Sequence, residues 1–171
     1  RAKKISYHLI DTLAIPNGHR VAILAKSGFG WISYFFATPR SGLVLVPINE
    51  RWSLEDMMHV LNDSLPSVLV FDHHFERTVD QIKTELDKPE FQELRSSVKH
   101  FVLMEKEDGV PQALSPRGGS DEKRSERAEY GDYYADFAIF YTSGTSSKPK
   151  GARISHESMI VQAISKCHHI P

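Results

Sequence analysis

The chain has 171 residues, of which 40% are hydrophobic and 25% are charged, as is typical of a globular domain with a hydrophobic core. Its formal net charge of −1 argues against nucleic acid as a partner and against a general attraction to membrane surfaces. No apolar run is long enough to cross a bilayer, so we expect no transmembrane segment.

The first part of the chain alternates between helical and strand patterns. Apolar residues at intervals of three and four predict helices whose apolar positions face the core, and short continuous apolar runs predict strands buried on both faces. One of these helices begins at Ser53, with Asp56 three residues later in a capping-box arrangement. The predicted helical positions are Ile5, Leu9 and Leu13; Trp31, Ile32, Phe35 and Phe36; Leu54, Met57, Met58 and Leu61; and Phe75, Val79, Ile82 and Leu86; the predicted strands are Val21–Ala25, Leu43–Ile48, Ser67–Phe71 and Phe101–Met104.

This alternation predicts an α/β fold class, with an incomplete, mostly parallel sheet built from βαβ units and helices on both faces. The pattern is lost between Glu105 and Tyr130, where prolines, glycines and charges of both signs replace apolar residues. We therefore divide the chain into a βαβ-type segment (1–104), a polar, mobile linker (105–132) and a returning part of the same domain (133–171).

The returning part contains two strand patterns and a final helix. Asp136–Tyr141 and Ala152–Ile154 are the predicted strands, and Ser155 is placed to cap the helix. The only cysteine, Cys167, cannot form an internal disulfide, which favours a reducing, intracellular compartment, either the cytoplasm or an organelle such as a plastid or peroxisome. The residues expected to face inward, with Cys167 as a buried structural thiol, are Met159, Ile160, Ala163, Ile164 and Cys167.

The stretch Tyr141–Gly151, Y-T-S-G-T-S-S-K-P-K-G, is poorly suited to a hydrophobic core and well suited to binding a polyanion. Glycine allows close backbone approach, hydroxyls and backbone N–H groups donate hydrogen bonds, and lysine adds charge. The stretch is not the common P-loop, because the second glycine of G-x-x-x-x-G-K-[ST], counted from Gly144, would fall on Pro149. We predict that it binds the phosphates of a nucleotide; a surface turn with a chance Ser/Thr cluster is the alternative.

The order of residues in Tyr141–Gly151 resembles the phosphate-loop signature Y-T-S-G-T-T-G-x-P-K-G of the adenylate-forming superfamily, the AMP-dependent synthetases and ligases that include acyl-CoA synthetases. Ser147 departs from it, standing where the signature has glycine, and a serine there would be strained if the loop required a positive φ. Three other stretches are also similar to this family: Pro16–Ile23, Gly42–Ser53 and Ser155-His156. Details at 51–54 and 155–166 resemble its 2-succinylbenzoate–CoA ligase branch, as found in plants and algae.

The resemblance implies an enzyme, an acid–thiol ligase that uses ATP, Mg²⁺ and coenzyme A. A small-molecule carboxylic acid would attack the α-phosphate of ATP to give an acyl-adenylate and pyrophosphate, and the thiol of coenzyme A would then take the acyl group. Lys150 is implied as the catalytic point charge and Thr145 as a metal ligand. The implied nucleotide-binding residues are Thr142, Ser143, Gly144, Thr145, Ser146, Ser147, Lys150 and Gly151.

The family's adenine-binding and ribose-binding motifs, its hinge and its mobile C-terminal domain all follow this loop. The sequence also begins Arg-Ala-Lys-Lys instead of Met. We therefore expect the chain to be an N-terminal fragment of the family's large domain, inactive alone and with apolar surface exposed.

Two other functions stay open at this point. One is a short, non-catalytic nucleotide-binding module. The other is an NAD-binding domain, since Gly28-Phe-Gly30 follows a strand and Glu50 lies about 20 residues on, although Ser33 replaces the third glycine of that fingerprint. The spacing of the histidine pairs His73-His74 and His168-His169 does not resemble that of a zinc site. The two histidines of a pair are neighbours in sequence, so we do not expect them to share a face of a helix or strand. His156 is expected to organise the start of the last helix.

Overall fold

A computed structural model describes residues 1–104, 133–144 and 147–167, so the predicted linker at 105–132 lies outside the described residues. In this part of the chain no helix is both long and apolar enough to cross a membrane. The helices are α1 (Ala2–Tyr7, continued by a π-helical turn at His8–Thr12), α2 (Phe29–Arg40), α3 (Leu54–Ser64), α4 (Glu76–Glu85), α5 (Gln92–Ser97) and α6 (His156–Cys167), with 3₁₀ turns at His73–Phe75 and Pro89–Phe91. The strands are β1 (Arg20–Leu24), β2 (Val44–Pro47), β3 (Val68–Phe71), β4 (His100–Leu103), β5 (Asp136–Gly144) and β6 (Ser147–Ser155).

The described strands form a mixed, mostly parallel sheet in the order β4-β3-β1-β2-β5-β6. Strand β1 lies between β2 and β3 and is parallel to both, β4 is parallel to β3, and β5 is parallel to β2. Only the edge strand β6 runs antiparallel, paired with β5 in a hairpin. The predicted fold class is confirmed, because each parallel pair among β1 to β4 is joined by a crossover that contains helix.

Strand β1 contributes side chains to two hydrophobic cores, one on each face of the sheet. Val21 and Ile23 belong to the core shared with α1 and α2, whereas Ala22 and Leu24 belong to the core shared with α3, α4 and α5. Successive strand residues point to opposite faces, so a strand covered on both faces must be apolar at every position. This is why the sequence shows continuous apolar runs where the strands are.

Residues at the starts of β1 and β2 join these strands to neighbouring elements. Arg20 donates from Nε to the Ser64 carbonyl and from Nη2 to the Leu65 carbonyl, both at 2.8 Å, at the carboxyl end of α3. Gly42 has φ 69°, and a Cβ there would lie 2.0 Å from Asn17 Oδ1. The stretches around Arg20 and Gly42, both of which are similar to the family, therefore stabilise the contacts between the sheet and its neighbouring loops and helix.

Helix α2 faces the core with a different set of residues from the one predicted. Phe36 is 59% exposed, so the expectation that it is a core residue is wrong, and Ile32 is 48% exposed. Helix α1 packs against α2 at the small side chain of Ala37, where Ser6 Oγ donates to the Ala37 carbonyl at 3.1 Å. Trp31 and Phe35 are partly buried and stack on each other, and the buried positions are Ser33, Tyr34, Ala37, Thr38 and Pro39.

Helix α6 contacts the sheet mainly through its first turns. Ser155 Oγ accepts from the Ser158 amide at 3.2 Å, which confirms the predicted cap. The ring of His156 packs edge-on against Phe137, at the start of the helix as expected. Met159 is partly buried, but no residue of the helix is buried, and Cys167 is exposed. The prediction of an inward apolar face with a buried thiol is therefore wrong. The expectation that the chain exposes apolar surface agrees with the structure. The exposed large apolar side chains on α2 and α6 are Phe29, Ile32, Phe36, Ile160, Val161 and Ile164.

Helix α5 has no counterpart in the sequence predictions. It has 6 residues and buries only Leu94, so it carries too little apolar periodicity to be recognised.

Because His8 is buried, we expect acid to lower the free energy of unfolding. Burial, and then the charge of His100, lower the pKa of His8 below its ordinary value of about 6.5, and its Nδ1 has no hydrogen-bond partner among the described residues. The unfolded chain therefore binds the proton at higher pH, so the free energy of unfolding should fall as pH drops through 6.5 and level off below the folded pKa.

Denaturant unfolding at pH 7.5 and pH 5.5 checks this expectation. We expect His8→Leu to reduce the loss of stability between the two pH values, and His73→Gln, which leaves the buried histidine in place, to retain it. An equal loss in all three proteins would contradict the assignment to His8.

Candidate phosphate-binding hairpin

The stretch predicted as a loop is mostly a pair of strands. Tyr141 pairs with Gly151, Thr142 pairs with Lys150, and Gly144 pairs with Ser147. The expectation of strand ends at Tyr141 and Ala152 is corrected: glycine, proline and lysine disfavour a strand by composition, but here they complete a ladder that starts in the core strand β5. Thr145 and Ser146, the proposed metal ligand and its neighbour, lie outside the described residues.

Two of the predicted site residues, Thr142 and Lys150, are directly opposite each other and exposed. Cross-strand partners place their side chains on the same face of a sheet, so the hydroxyl and the ammonium group lie side by side. No carboxylate of the described residues lies within ion-pair distance of Lys150, whereas Lys148 lies 4.0 Å from Glu55. Within the described part of the chain, Lys150 thus presents a positive charge without an acidic partner, next to a hydroxyl donor, the combination that an anion requires.

Gly151 lies beneath the ring of Tyr141. A Cβ at position 151 would lie 2.9 Å from Tyr141 Cζ and 2.9 Å from Ile139 Cγ2, closer than side-chain atoms normally approach. Glycine at this position therefore lets the tyrosine ring lie flat across the neighbouring strand. In the structure, Gly151, which was predicted to bind the nucleotide, packs against a side chain of the hairpin itself.

The hairpin is hydrogen-bonded to α3 at two points. The Tyr141 hydroxyl donates to Asp63 Oδ2 at 2.5 Å, and the Pro149 carbonyl lies 3.1 Å from His59 Nε2. Burial and the hydrogen bond to Asp63 raise the pKa of Tyr141 well above its ordinary value, so the phenol stays neutral and acts as a donor.

A cavity of about 310 Å³ opens where β1 and β2 end, beside β5, and Tyr141 lines it. Ligands of open α/β sheets commonly bind outside the carboxyl ends of the strands. Asn49 and Arg51 also line this cavity, and Asn49 Oδ1 accepts from the Arg51 amide at 3.0 Å. Sequence reasoning treated these two residues only as part of a family resemblance, although polar residues directly after a buried strand are a signal for a site.

Two other candidate sites have different geometries from the expected ones. The rings of His73 and His74 lie 3.9 Å apart at their centroids, so the expectation that neighbouring histidines do not share a face is wrong in this 3₁₀ turn. Asp72 joins them in a cluster of metal-ligand type, but its carboxylate already accepts hydrogen bonds from the Lys26 and His74 amides. In the dinucleotide-like segment, Gly28 caps α2 as a turn residue, but Gly30, also expected in the turn, lies in its first helical turn.

Comparison with known proteins identifies several relatives. A protein-family model described as AMP-binding enzyme matches residues 1–170. A long-chain-fatty-acid–CoA ligase of Thermus thermophilus is 29% identical over 91% of this chain and 27% of its own length. A 2-succinylbenzoate–CoA ligase of Bacillus cytotoxicus is 26% identical over 89% of this chain and 26% of its own length.

A solved structure with the same fold is the inhibitor-bound N-terminal domain of FACL13 from Mycobacterium tuberculosis. Its TM-score is 0.73 at 26% identity, covering 93% of this chain and 36% of that chain. The chain thus spans about a quarter of the length of the curated relatives it matches, as the 27% coverage of the Thermus protein illustrates.

Proposed function

Because the chain belongs to the AMP-binding enzyme family, we propose that it forms the phosphate-binding part of a longer, ATP-dependent acyl-CoA ligase. The relatives' names include ligases of fatty acids and of 2-succinylbenzoate, which supports a carboxylic acid as substrate without specifying which one. The proposed enzyme would join that acid to AMP and then to the thiol of coenzyme A. The 2-succinylbenzoate branch suggested by the sequence stays a prediction.

The observation that carries this proposal is the exposed pair of Thr142 and Lys150 on the hairpin. In the first step an anionic carboxylate must approach the polyanionic triphosphate, and charge accumulates on the leaving pyrophosphate. Donors and cations that are already in place stabilise this charge best, because they need no reorganisation as it develops. Lys150 supplies the cation and Thr142 a hydroxyl donor.

The rest of the proposed phosphate contacts follow from the family signature. Ser143, Thr145, Ser146 and Ser147 supply hydroxyl or backbone N–H donors, and Gly144 and Gly151 permit close approach and close packing. Lys148, at the variable position and beside Glu55, contributes general attraction only.

Mg²⁺ prefers oxygen ligands, and when bound it would neutralise part of the triphosphate charge. Between Tyr141 and Gly151 the described residues offer hydroxyl oxygen, as at Thr142, but no carboxylate. We therefore propose that phosphate oxygens hold most of the ion's coordination, with Thr145 as the protein ligand. No residue of this chain is assigned to coenzyme A.

Binding of inorganic tripolyphosphate to the 171-residue chain, measured by calorimetry with and without Mg²⁺, tests the proposal. We expect saturable binding that Lys150→Ala weakens at least several-fold, no binding of NAD, and no acyl-adenylate from ATP and fatty acid. Equal binding by Lys150→Ala would overturn the assignment of the hairpin. Tight binding of NAD would support the dinucleotide alternative instead.

A further inference from the structure

Helix α3 presents a row of polar side chains to the hairpin. Glu55, His59 and Asp63 follow one another at intervals of four residues, which places them on one helical face. Asp63 accepts from the Tyr141 hydroxyl of β5, and His59 contacts the Pro149 carbonyl of β6. One helix face thus contacts both strands of the hairpin.

Both contacts lie next to the residues assigned to the phosphates. Tyr141 immediately precedes Thr142, and Pro149 immediately precedes Lys150. Because Thr142 and Lys150 are paired across the two strands, a helix that binds the residue before each of them determines where the pair lies. Proline has a carbonyl but no N–H, so the backbone at position 149 can only accept, and His59 Nε2 can supply a donor.

The contacts are polar because apolar packing does not fill this region. A cavity of about 500 Å³ borders α3 and β6, lined by residues that include Met58, His59, Phe91 and Lys148. Hydrogen bonds therefore contribute more to the spacing between the helix and β6 than they would at a close-packed contact.

Helix α3 is itself held firmly at both ends. Ser53 Oγ accepts from the Asp56 amide at 3.1 Å, and Arg20 binds the carbonyls of the last turn. Its opposite face, with Met57 and Leu61, lies in the core. A fixed helix is suited to hold a hairpin that forms the edge of the sheet.

We propose that His59 and Asp63 are positioning residues that set the location of Thr142 and Lys150, and so the affinity of the hairpin for polyphosphate. This inference rests on the proposed function of the hairpin. Neither side chain is assigned a phosphate contact; each acts through the backbone or ring that it binds.

Removal of either contact should loosen the hairpin and weaken binding. In His59→Leu and in Tyr141→Phe, we expect faster amide hydrogen exchange in β5 and β6, with unchanged exchange in β1 and β3. Tripolyphosphate affinity should fall by about 3- to 10-fold in each, the factor that one hydrogen bond of ordinary strength provides. The conservative variant His59→Gln, which retains an N–H donor, should restore affinity to within about twofold of the native chain, which a bulk effect on folding would not do.

A double-mutant cycle tests the second contact separately. Tyr141→Phe, Asp63→Ala and the combined variant should bind tripolyphosphate with similar, non-additive losses, since each change removes the same hydrogen bond. Additive losses would overturn the role of Asp63.

The two kinds of measurement separate this inference from the proposed function. Unchanged hairpin exchange in His59→Leu and Tyr141→Phe overturns the positioning role even if Lys150→Ala weakens binding. Faster exchange without loss of affinity overturns the link from position to affinity. Native binding that is insensitive to Lys150→Ala overturns the proposed function, whatever the exchange data show.

Discussion

Replacing Lys150 by alanine in the proposed full-length ligase is expected to slow acyl-adenylate formation by about 100- to 1,000-fold, the usual effect of removing one preorganised charge-stabilising group. The lysine is exposed on the hairpin, opposite Thr142, and has no carboxylate partner among the described residues. Its charge is therefore free to act on the triphosphate, most strongly as the pyrophosphate leaves. Carboxylate-dependent exchange of labelled pyrophosphate into ATP measures this step.

Lys148→Ala is the matched control for this experiment. Lys148 lies on the same strand two residues away, but faces Glu55 in an exposed pair of the kind that contributes little. We expect its exchange rate to remain within a few-fold of the native rate. A Lys150→Ala enzyme with a normal exchange rate would remove Lys150 from the catalytic assignment.

Replacing Gly151 by alanine is expected to lower the free energy of unfolding by about 1–3 kcal/mol, the usual cost of adding a methyl group where no space exists. The new Cβ would lie 2.9 Å from Tyr141 Cζ and from Ile139 Cγ2, so the tyrosine ring must move. Movement of the ring also breaks the hydrogen bond between its hydroxyl and Asp63. Denaturant unfolding measures the loss, and amide exchange should locate it in β5 and β6.

Gly28→Ala serves as the control, because no atom lies closer than 4.0 Å to a Cβ at that position and its φ of 176° is extended backbone. Gly28 caps α2, where alanine is a poorer cap than glycine, so we expect a loss of less than about 1 kcal/mol. A Gly151→Ala protein that is as stable as Gly28→Ala would mean that the ring of Tyr141 does not need a glycine beneath it.

Apolar periodicity was sufficient to predict the sheet and most of its helices. The predicted strands correspond to β1 to β6, and the inward positions of α3 and α4, such as Met57 and Val79, are buried. These predictions succeed because a strand buried on both faces and a helix packed on a sheet each impose a short-range pattern on the sequence. The cap at Ser53 depends only on local geometry and was predictable for the same reason.

The same reasoning failed where packing partners were distant in sequence. In α2 the presence of α1 brings Ala37 and Thr38 inward and leaves Phe36 exposed, although phenylalanine is the more hydrophobic residue. In α6 no described neighbour covers the outer turns, so Ile164 and Cys167 are exposed despite an apolar pattern. Hydrophobicity identifies side chains that favour burial, but the tertiary structure determines which of them find a partner.

The candidate site divides in the same way. The order of residues in Tyr141–Gly151 by itself identified the family and predicted a phosphate-binding stretch, because contact with phosphates favours particular residue types in a particular order. Only the tertiary structure revealed that this stretch is a hairpin, that Gly151 lies under Tyr141, and that α3 binds both strands. Asp63 and Tyr141 are 78 residues apart, and no local pattern in a sequence records a hydrogen bond that chain folding alone creates.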